Sequence, residues 1–287
     1  MSGSPLRITQ IDAFTDRPFA GNPAAVVLLD EPADAEWMQA VAAEVNLSET
    51  AFLWELASDP RAADGRVWSL RWFTPKIEVD LCGHATLASA HHLFHDHHAP
   101  EAVLQFDTRS GRLTARRLPD DWHGGGWIEL DLPSDLTVPV DPADPVRVAA
   151  LEALGVTAPV AVGRGRTALL VELVDADAVR AVDPDHRALR ASGVGRLIIT
   201  APGDDGYDLV SRYFAPDAGV DEDPVTGSAH CTLGPYWGEK LGRTELRAHQ
   251  ASTRGGELRI TLEEPGRPPW RKRVRVAGRA VPALVRV

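Results

Sequence analysis

Cysteine is scarce: 287 residues hold two, Cys82 and Cys231. That excludes a disulfide framework and fits a reducing compartment. Lysine occurs only as Lys76, Lys240 and Lys272. None of the three lies in the helix-opening glycine motifs, which leaves a Schiff base to a pyridoxal cofactor without a carrier. Long apolar runs are missing as well, and no window approaches the ~18 residues of a membrane helix. The start, Met1-Ser2-Gly3-Ser4-Pro5, lacks the basic and apolar regions of a secretory signal. Positive charge is in deficit, with a formal net charge of −11 and no basic stripe, against the footprint that nucleic-acid binding needs. The one basic cluster, Arg271-Lys272-Arg273, sits among alternating valines and reads as the solvent face of a strand. These absences predict a cytoplasmic globular protein that binds neither nucleic acid nor a membrane.

What is present is a repeat. Phe73-Thr74-Pro75-Lys76-Ile77-Glu78-Val79-Asp80-Leu81-Cys82-Gly83-His84-Ala85 is echoed by Phe214-Ala215-Pro216-Asp217-Ala218-Gly219-Val220-Asp221-Glu222-Asp223-Pro224-Val225-Thr226-Gly227-Ser228-Ala229. Both strings carry a Phe-x-Pro turn, a Val-Asp pair, and a Gly-polar-Ala step into a helix-compatible run. A repeat this far apart predicts two similar lobes. Each presents a helix N-terminus, whose free N–H groups and dipole suit an anion. Two such termini facing one another would grip a small carboxylate.

Periodicity supplies the rest. Leu6 to Phe14 and Ala24 to Leu29 read as strands on either side of the Phe19–Pro23 turn. Asp34 or Ala35 to Val45 spaces Trp37, Ala40, Val41 and Val45 for one buried helix face. Ala51–Leu56 and Val67–Phe73 are strand-like, and a helix follows the first glycine motif to about Phe94. Strands at Ala102–Phe106 and Leu113–Arg117 precede a turn-rich linker candidate, Leu118 to Gly126. Beyond it come a strand at Trp127–Leu132, a helix near Pro145–Leu154, and strands at Val160–Val162 and Thr167–Val174. A short helix at Asp183–Ser192, strands at Arg196–Thr200 and Asp208–Phe214, the second motif with its helix, and paired strands from Leu246 onward complete the chain.

Four separated strings, Gly21-Asn22-Pro23-Ala24-Ala25-Val26, Asn46-Leu47-Ser48-Glu49-Thr50-Ala51-Phe52, Cys82-Gly83-His84-Ala85-Thr86 and Asp223-Pro224-Val225-Thr226-Gly227-Ser228-Ala229, together resemble the PhzF (phenazine-biosynthesis) family. The resemblance implies an α+β, diaminopimelate-epimerase-like fold. In it two pseudo-symmetric lobes each curl a mostly antiparallel, barrel-like sheet around a central helix. It implies an N-terminal lobe over 1–120, with a last strand at about 278–287 able to complete it. A C-terminal lobe spans 121–277, the active site lies in the cleft between them, and the assembly is a homodimer. The implied activity is isomerisation of a small carboxylic acid without cofactor or metal, similar to trans-2,3-dihydro-3-hydroxyanthranilate isomerase: an allylic proton is removed and redelivered elsewhere on the ring.

Glu49 heads the candidate residues. It sits between an apolar helix and the run Ala51-Phe52-Leu53-Trp54, where partial burial suits a carboxyl group to proton transfer, and the resemblance makes it the catalytic acid/base. His84, in the first turn of the helix, is expected as a substrate contact or proton relay, against the alternative of a satisfied core histidine. Asp223 resembles the family's active-site aspartate, and Glu222 beside it reads as a loop carboxylate. Gly83, Gly227 and Ser228 are expected to bring backbone N–H groups to the substrate carboxylate, and Asn22 of the first string joins the substrate-binding set. Cys82 stands where two-thiol epimerases of this architecture carry a cysteine, but its mate is Thr226, which cannot act as a thiolate base. A mixed Glu49/Cys82 racemase therefore stays open, as does a non-catalytic small-acid binding protein.

Other patterns are weaker. Asp223, Ser228 and His230 have the residue types of a hydrolase triad, yet Ser228 and His230 are two apart on a helix and no Gly-x-Ser-x-Gly elbow exists. His91, His92, His95, His97 and His98 cluster at a helix C-terminus, a place that favours histidine for its dipole and solvent. Gly163-Arg164-Gly165-Arg166 lacks the third glycine of a dinucleotide fingerprint.

Overall fold

Alternating apolar residues build β1 (Ile8–Ala13), which pairs antiparallel with β2 (Asn22–Leu28). The computed structural model describes residues 6–56, 66–95, 102–263 and 273–286. Between the two strands Gly21 has φ +63°, and a Cβ there would lie 2.2 Å from the Ala13 carbonyl oxygen, so only glycine fits. The Asp34 carboxylate caps α1 (Ala35–Val45) by accepting the Glu36 N–H at 2.8 Å, and left-handed Asn46 ends it. This helix is the crossover that lets β3 (Glu49–Leu56) run parallel to β2.

Next come β4 (Val67–Phe73), antiparallel to β3, and the two-residue β5 (Glu78–Val79), which turns back onto β4. Then follow α2 (Gly83–His95), β6 (Val103–Thr108) parallel to β4, and the antiparallel β7 (Gly111–Arg117) and β8 (Ile128–Pro133). Helix α2 touches β1, β2, β3 and β7 and also the last strand of the chain, which pairs with β1. A helix in contact with strands near both ends of the order is one around which the sheet has curled. Its sequence agrees: every residue from Gly83 to Phe94 is buried, the signature of a helix enclosed on all sides.

The chain divides into two compact units, 1–131 with 277–287, and 132–276. The division falls inside β8, and the turn-rich segment 118–126 lies within the first unit.

In the second unit the pairing pattern repeats. Its elements are β9 (Val138–Pro139), α3 (Pro145–Leu154), β10 (Ala161–Arg164), β11 (Leu169–Glu172), α4 (Ala176–Ala181), α5 (His186–Ala191), β12 (Leu197–Pro202), β13 (Leu209–Ala215), β14 (Val220–Asp223), α6 (His230–Leu241), β15 (Glu245–Gln250), β16 (Gly256–Leu262) and β17 (Arg273–Gly278); β18 (Ala280–Arg286) is the last strand noted above. β10–β11 is antiparallel, β11–β12 parallel, β12–β13 antiparallel, β13–β15 parallel and β15–β16 antiparallel, with β14 folded back on β13. This is the order of directions from β1 to β7, with α4 and α5 in the place of α1. Helix α6 lies against β15 and β16. A Cβ on Gly238 would sit 2.2 Å from Leu262 Cδ1, so this glycine permits the close approach.

The repeat extends to a contact that the sequence pattern did not reveal. Arg71 grips Glu78 through Nε and Nη2 at 2.7 and 2.8 Å and lies 5.2 Å over the Phe73 ring. Arg212 grips Glu222 at 2.7 and 2.9 Å and lies 5.2 Å over Phe214. Each bidentate pair pins a short hairpin just upstream of a glycine motif. Glu222 is thus a clamp residue.

Three readings change. Helix α4 follows β11 where the pattern continues a strand to Val174, because Asp175 caps a six-residue helix too short to show periodicity. The second motif enters its helix through a 3-10 turn, Gly227–Ala229, rather than directly. His91 and His92 are buried, not solvent-facing, because the surrounding sheet encloses α2 almost to its C-terminal end. His97, His98, Arg271 and Lys272 lie outside the described residues.

Candidate functional site

Parallel pairing aligns Ala24 of β2 with Glu49, the first residue of β3. Side chains alternate along a strand, so Asn22, two residues before Ala24, shares the face on which Glu49 stands. The first turn of α2 reaches both. His84 Nε2 lies 3.1 Å from Glu49 Oε2, and His84 Nδ1 lies 3.2 Å from Asn22 Nδ2 and 3.5 Å from Cys82 Sγ. Asn22, Cys82, Gly83 and His84 are buried, whereas the Glu49 side chain is 18% exposed and so open to solvent on one side.

The approach of His84 to Glu49 is close in distance but off the line of a hydrogen bond. Glu49 Oε2 and His84 Nε2 are buried atoms with no hydrogen-bond partner among the described residues. Burial works against a charged imidazole, but the acidic groups beside it, Cys82 and Glu49, outweigh that and hold the His84 pKa well above its ordinary value. Burial, reinforced by the Glu49 carboxylate, pushes the Cys82 thiol up, so the sulfur keeps its proton. With a proton on Nε2 facing Glu49, Nδ1 accepts from Asn22. A second proton on Nδ1 finds the Cys82 sulfur. The ring therefore connects a carboxylate with a thiol.

Backbone donors stand beside this cluster. The first i→i−4 bond of α2 runs from Thr86 N to Cys82 O at 3.1 Å, so the N–H groups of Gly83, His84 and Ala85 precede the helical ladder. The loop before them is pinned from several sides: Arg109 reaches Glu78 at 3.0 Å and Asp80 at 3.1 Å, and Ser110 donates to the Asp80 carbonyl.

Asp223, Gly227 and Ser228 belong to the second unit, where they gather about Thr226. The Thr226 hydroxyl donates to the Asp223 carboxylate. Gln250, fully buried, accepts the Thr226 N–H at 2.8 Å and donates to the Asp223 carbonyl at 2.7 Å. Ser252 donates to the Pro224 carbonyl at 2.7 Å. Gly227 is buried and Ser228 half-buried.

His230 donates from Nδ1 to the Thr226 carbonyl at 2.8 Å and is fully buried, and burial drives its pKa down to about 4. It is a neutral core histidine, not a hydrolase base. The glycine-rich stretch 163–166 has a structural role too. Asp135 accepts the N–H groups of Arg166 at 2.7 Å and Thr167 at 3.1 Å, and a Cβ on Gly165 would lie 2.9 Å from that carboxylate.

Sequence reasoning missed Gln250 and Asp12. The latter, a carboxylate fully buried in β1, accepts the N–H of Phe19 at 2.7 Å and so ties down the turn that delivers Asn22. A lone acid within an alternating apolar strand was the available signal. Gln250 offered none, since its role depends on the register of β15 beside β13. Among the described residues no helix is long and apolar enough to cross a membrane.

Comparison with known proteins gives a consistent match. The family profile PhzC-PhzF, described as phenazine biosynthesis-like protein, matches residues 11–285. An uncharacterized isomerase of Halalkalibacterium halodurans is 46% identical over 278 residues, covering 96% of this chain and 95% of that one. The crystal structure of a PhzF-family phenazine biosynthesis protein of Enterococcus faecalis superposes with a TM-score of 0.83 at 38% identity, covering 98% of this chain and 97% of the other. At the level of fold alone, a predicted epimerase of Pseudomonas aeruginosa aligns with a TM-score of 0.69 at 23% identity, over 98% of both chains.

Proposed function

The chain belongs to the PhzC-PhzF, phenazine biosynthesis-like family, and from that premise we propose that it is a cofactor-independent isomerase of a small carboxylic acid, with Glu49 as the group that removes and returns the proton. The observation that carries this reading is the Glu49 carboxylate, 3.1 Å from His84, with a buried oxygen that no described residue satisfies by a hydrogen bond. Such an oxygen is poised to take a proton from a bound acid. The Glu49 carboxylate takes a proton from the carbon skeleton and becomes neutral, the charge left on the substrate is held between the two steps by the His84 ring and the backbone donors, and a proton, exchanged with solvent on Glu49, returns at a different carbon. Skeleton and charge balance are unchanged, as in an isomerisation of the trans-2,3-dihydro-3-hydroxyanthranilate type. The N–H groups of Gly83, His84 and Ala85 suit the substrate carboxylate, and their fixed orientation favours charge developing there. Gly227, Ser228 and Asp223 are assigned to substrate binding and proton handling on the same grounds of motif and resemblance.

One observation favours a second reading. Cys82 lies 3.5 Å from the imidazole that also faces Glu49, and its protonated thiol is a proton donor. A racemase with Glu49 and Cys82 on opposite faces of a carbon would use the same groups.

Incubation with candidate acids in deuterated water tests both readings. Isomerisation predicts deuterium at a new carbon, and racemisation predicts deuterium at the original stereocentre. An absence of label across a panel of cyclic and amino acids, with binding retained, would leave only a binding protein.

A further inference from the structure

Glu49, Cys82 and His84 form a compact group of three different donors. One ligand atom from each lies within 4.8 Å of the other two. Two of these residues pair by charge, His84 Nε2 and Glu49 Oε2 lying 3.1 Å apart, and neither of these buried atoms has a hydrogen-bond partner among the described residues. A cation that displaces the ring proton would take up the lone pairs that this pair leaves outside any hydrogen bond.

We propose that these three side chains bind a zinc ion, or a cation of similar softness, as an inhibitor that occupies the reacting groups. Zinc takes sulfur at about 2.3 Å, imidazole nitrogen at about 2.0–2.1 Å and carboxylate oxygen at about 2.0–2.2 Å, which sets tetrahedral ligand edges of roughly 3.3–3.7 Å. The 3.1 Å separation of Oε2 and Nε2 needs only a slight opening, whereas the Cys82 sulfur, 3.5 Å from Nδ1 in this structure, has to turn toward Nε2. A set of one sulfur, one nitrogen and one oxygen favours zinc over magnesium or calcium, which prefer oxygen alone. On binding, the thiol proton and the Nε2 proton of the imidazolium leave to solvent, and the ion takes the thiolate, the freed Nε2 lone pair and the Glu49 carboxylate, with a fourth position open to water.

Asn22 completes the arrangement. Ligation through Nε2 leaves the ring proton on Nδ1, where the Asn22 amide, turned to present Oδ1, accepts it; such outer partners fix the orientation of a ligating histidine. The His91/His95 pair is the poorer alternative. Their rings stack at 4.2 Å with an angle of 26°, so the two nitrogen edges do not converge on one point.

The inhibitory part of the proposal rests on the isomerase reading above; the binding part does not. Cobalt, a spectroscopic stand-in for zinc, titrated into the full chain should bind one ion per chain with a thiolate-to-cobalt charge-transfer band. That band should vanish in Cys82→Ser. Zinc affinity by calorimetry should fall at least about tenfold in Cys82→Ser and in Glu49→Gln, and stay unchanged in His95→Gln. Circular dichroism identifies any variant that does not fold, and the other variant then decides. A cobalt adduct without the charge-transfer band, or equal zinc affinity in wild type and both site variants, overturns the proposal. Where an acid is turned over, zinc should stop the reaction and a chelator should restore it. Zinc bound at this site in a protein that isomerises no acid sinks the isomerase reading while sustaining the site. Turnover indifferent to saturating zinc overturns the inhibition.

Discussion

His84 reaches Glu49 with Nε2 3.1 Å from Oε2, at the point where the first turn of α2 meets the first residue of β3. The contact exists because β2 and β3 run parallel and a central helix covers their shared face. It places one carboxylate beside a ring held in the charged range.

Replacing Glu49 by glutamine keeps the shape and removes the proton acceptor. Turnover should fall by about 10²–10⁴-fold, the contribution of a positioned acid or base, while the melting temperature and the binding of the acid stay near wild type. Steady-state kinetics with calorimetry check it. A variant that keeps more than about a tenth of the activity contradicts the assignment.

Cys82→Ser separates the isomerase from the racemase. The position that matches Cys82 in the second motif is Thr226, which carries no thiol. The serine variant should therefore lose less activity than Glu49→Gln. A dead serine variant beside an active glutamine variant, read by deuterium exchange at the substrate's stereocentre, would transfer the chemistry to the thiol.

The arginine clamps should differ in weight despite matching geometry. Glu78 keeps a second cation, Arg109 at 3.0 Å, when Arg71 is lost, and the Arg71 side chain is 25% exposed. Glu222 has no second cation among the described residues, and Arg212 is 11% exposed and also donates to the Val182 carbonyl at 2.6 Å. Arg212→Met should cost about 3 kcal/mol, as expected for one half of a buried pair, and Arg71→Met about 1–2 kcal/mol. Urea unfolding of both variants decides it, and equal losses would show that Arg109 does not substitute.

Much of this architecture was legible in the sequence, for physical reasons that also mark where legibility stops. Helix α1 carries a cap, an apolar stripe and an asparagine stop, so Ala35–Val45 could be read off directly. The duplicated Phe-x-Pro and Gly-polar-Ala strings disclosed two similar units because turn chemistry and helix entry are local. Glu49, Cys82 and His84 were each identifiable, but their meeting was not, since it depends on the parallel register of β2 and β3 and on a helix entering from elsewhere in the chain. The same holds for Arg71 with Glu78: the two-residue strand β5 is too short to show a period, and only its pairing with β4 brings the charges together. α4 escaped for a like reason.

Chelation should leave turnover intact. The proposed chemistry needs only a carboxylate, an imidazole and backbone donors, so exhaustive dialysis against a chelator should preserve or raise the rate, the latter if adventitious zinc occupies the site. A rate lost on dialysis and restored by added zinc would make the metal a cofactor and defeat the cofactor-independent reading.

Stability should fall on mild acidification because of His230. Its pKa is about 4 in the folded chain and ~6.5 when unfolded, so below that upper value the unfolded chain binds a proton that the folded chain does not. By linkage, stability then rises with pH between these limits and is lost as pH drops through them. For this one group the loss between about pH 7 and about pH 5 is roughly 2 kcal/mol. Its cause is burial at the start of α6, where Nδ1 already serves the Thr226 carbonyl and Nε2 has no hydrogen-bond partner among the described residues to receive a charge. His230→Asn, whose amide nitrogen stands where Nδ1 does, can keep the hydrogen bond to Thr226 and cannot titrate. The variant should therefore be less stable near pH 7 for its poorer packing, yet lose about 2 kcal/mol less than wild type on going to pH 5. Urea denaturation at the two pH values measures the difference. Parallel losses in the two proteins would mean that His230 takes up its proton without unfolding the chain, and that the acid sensitivity lies elsewhere.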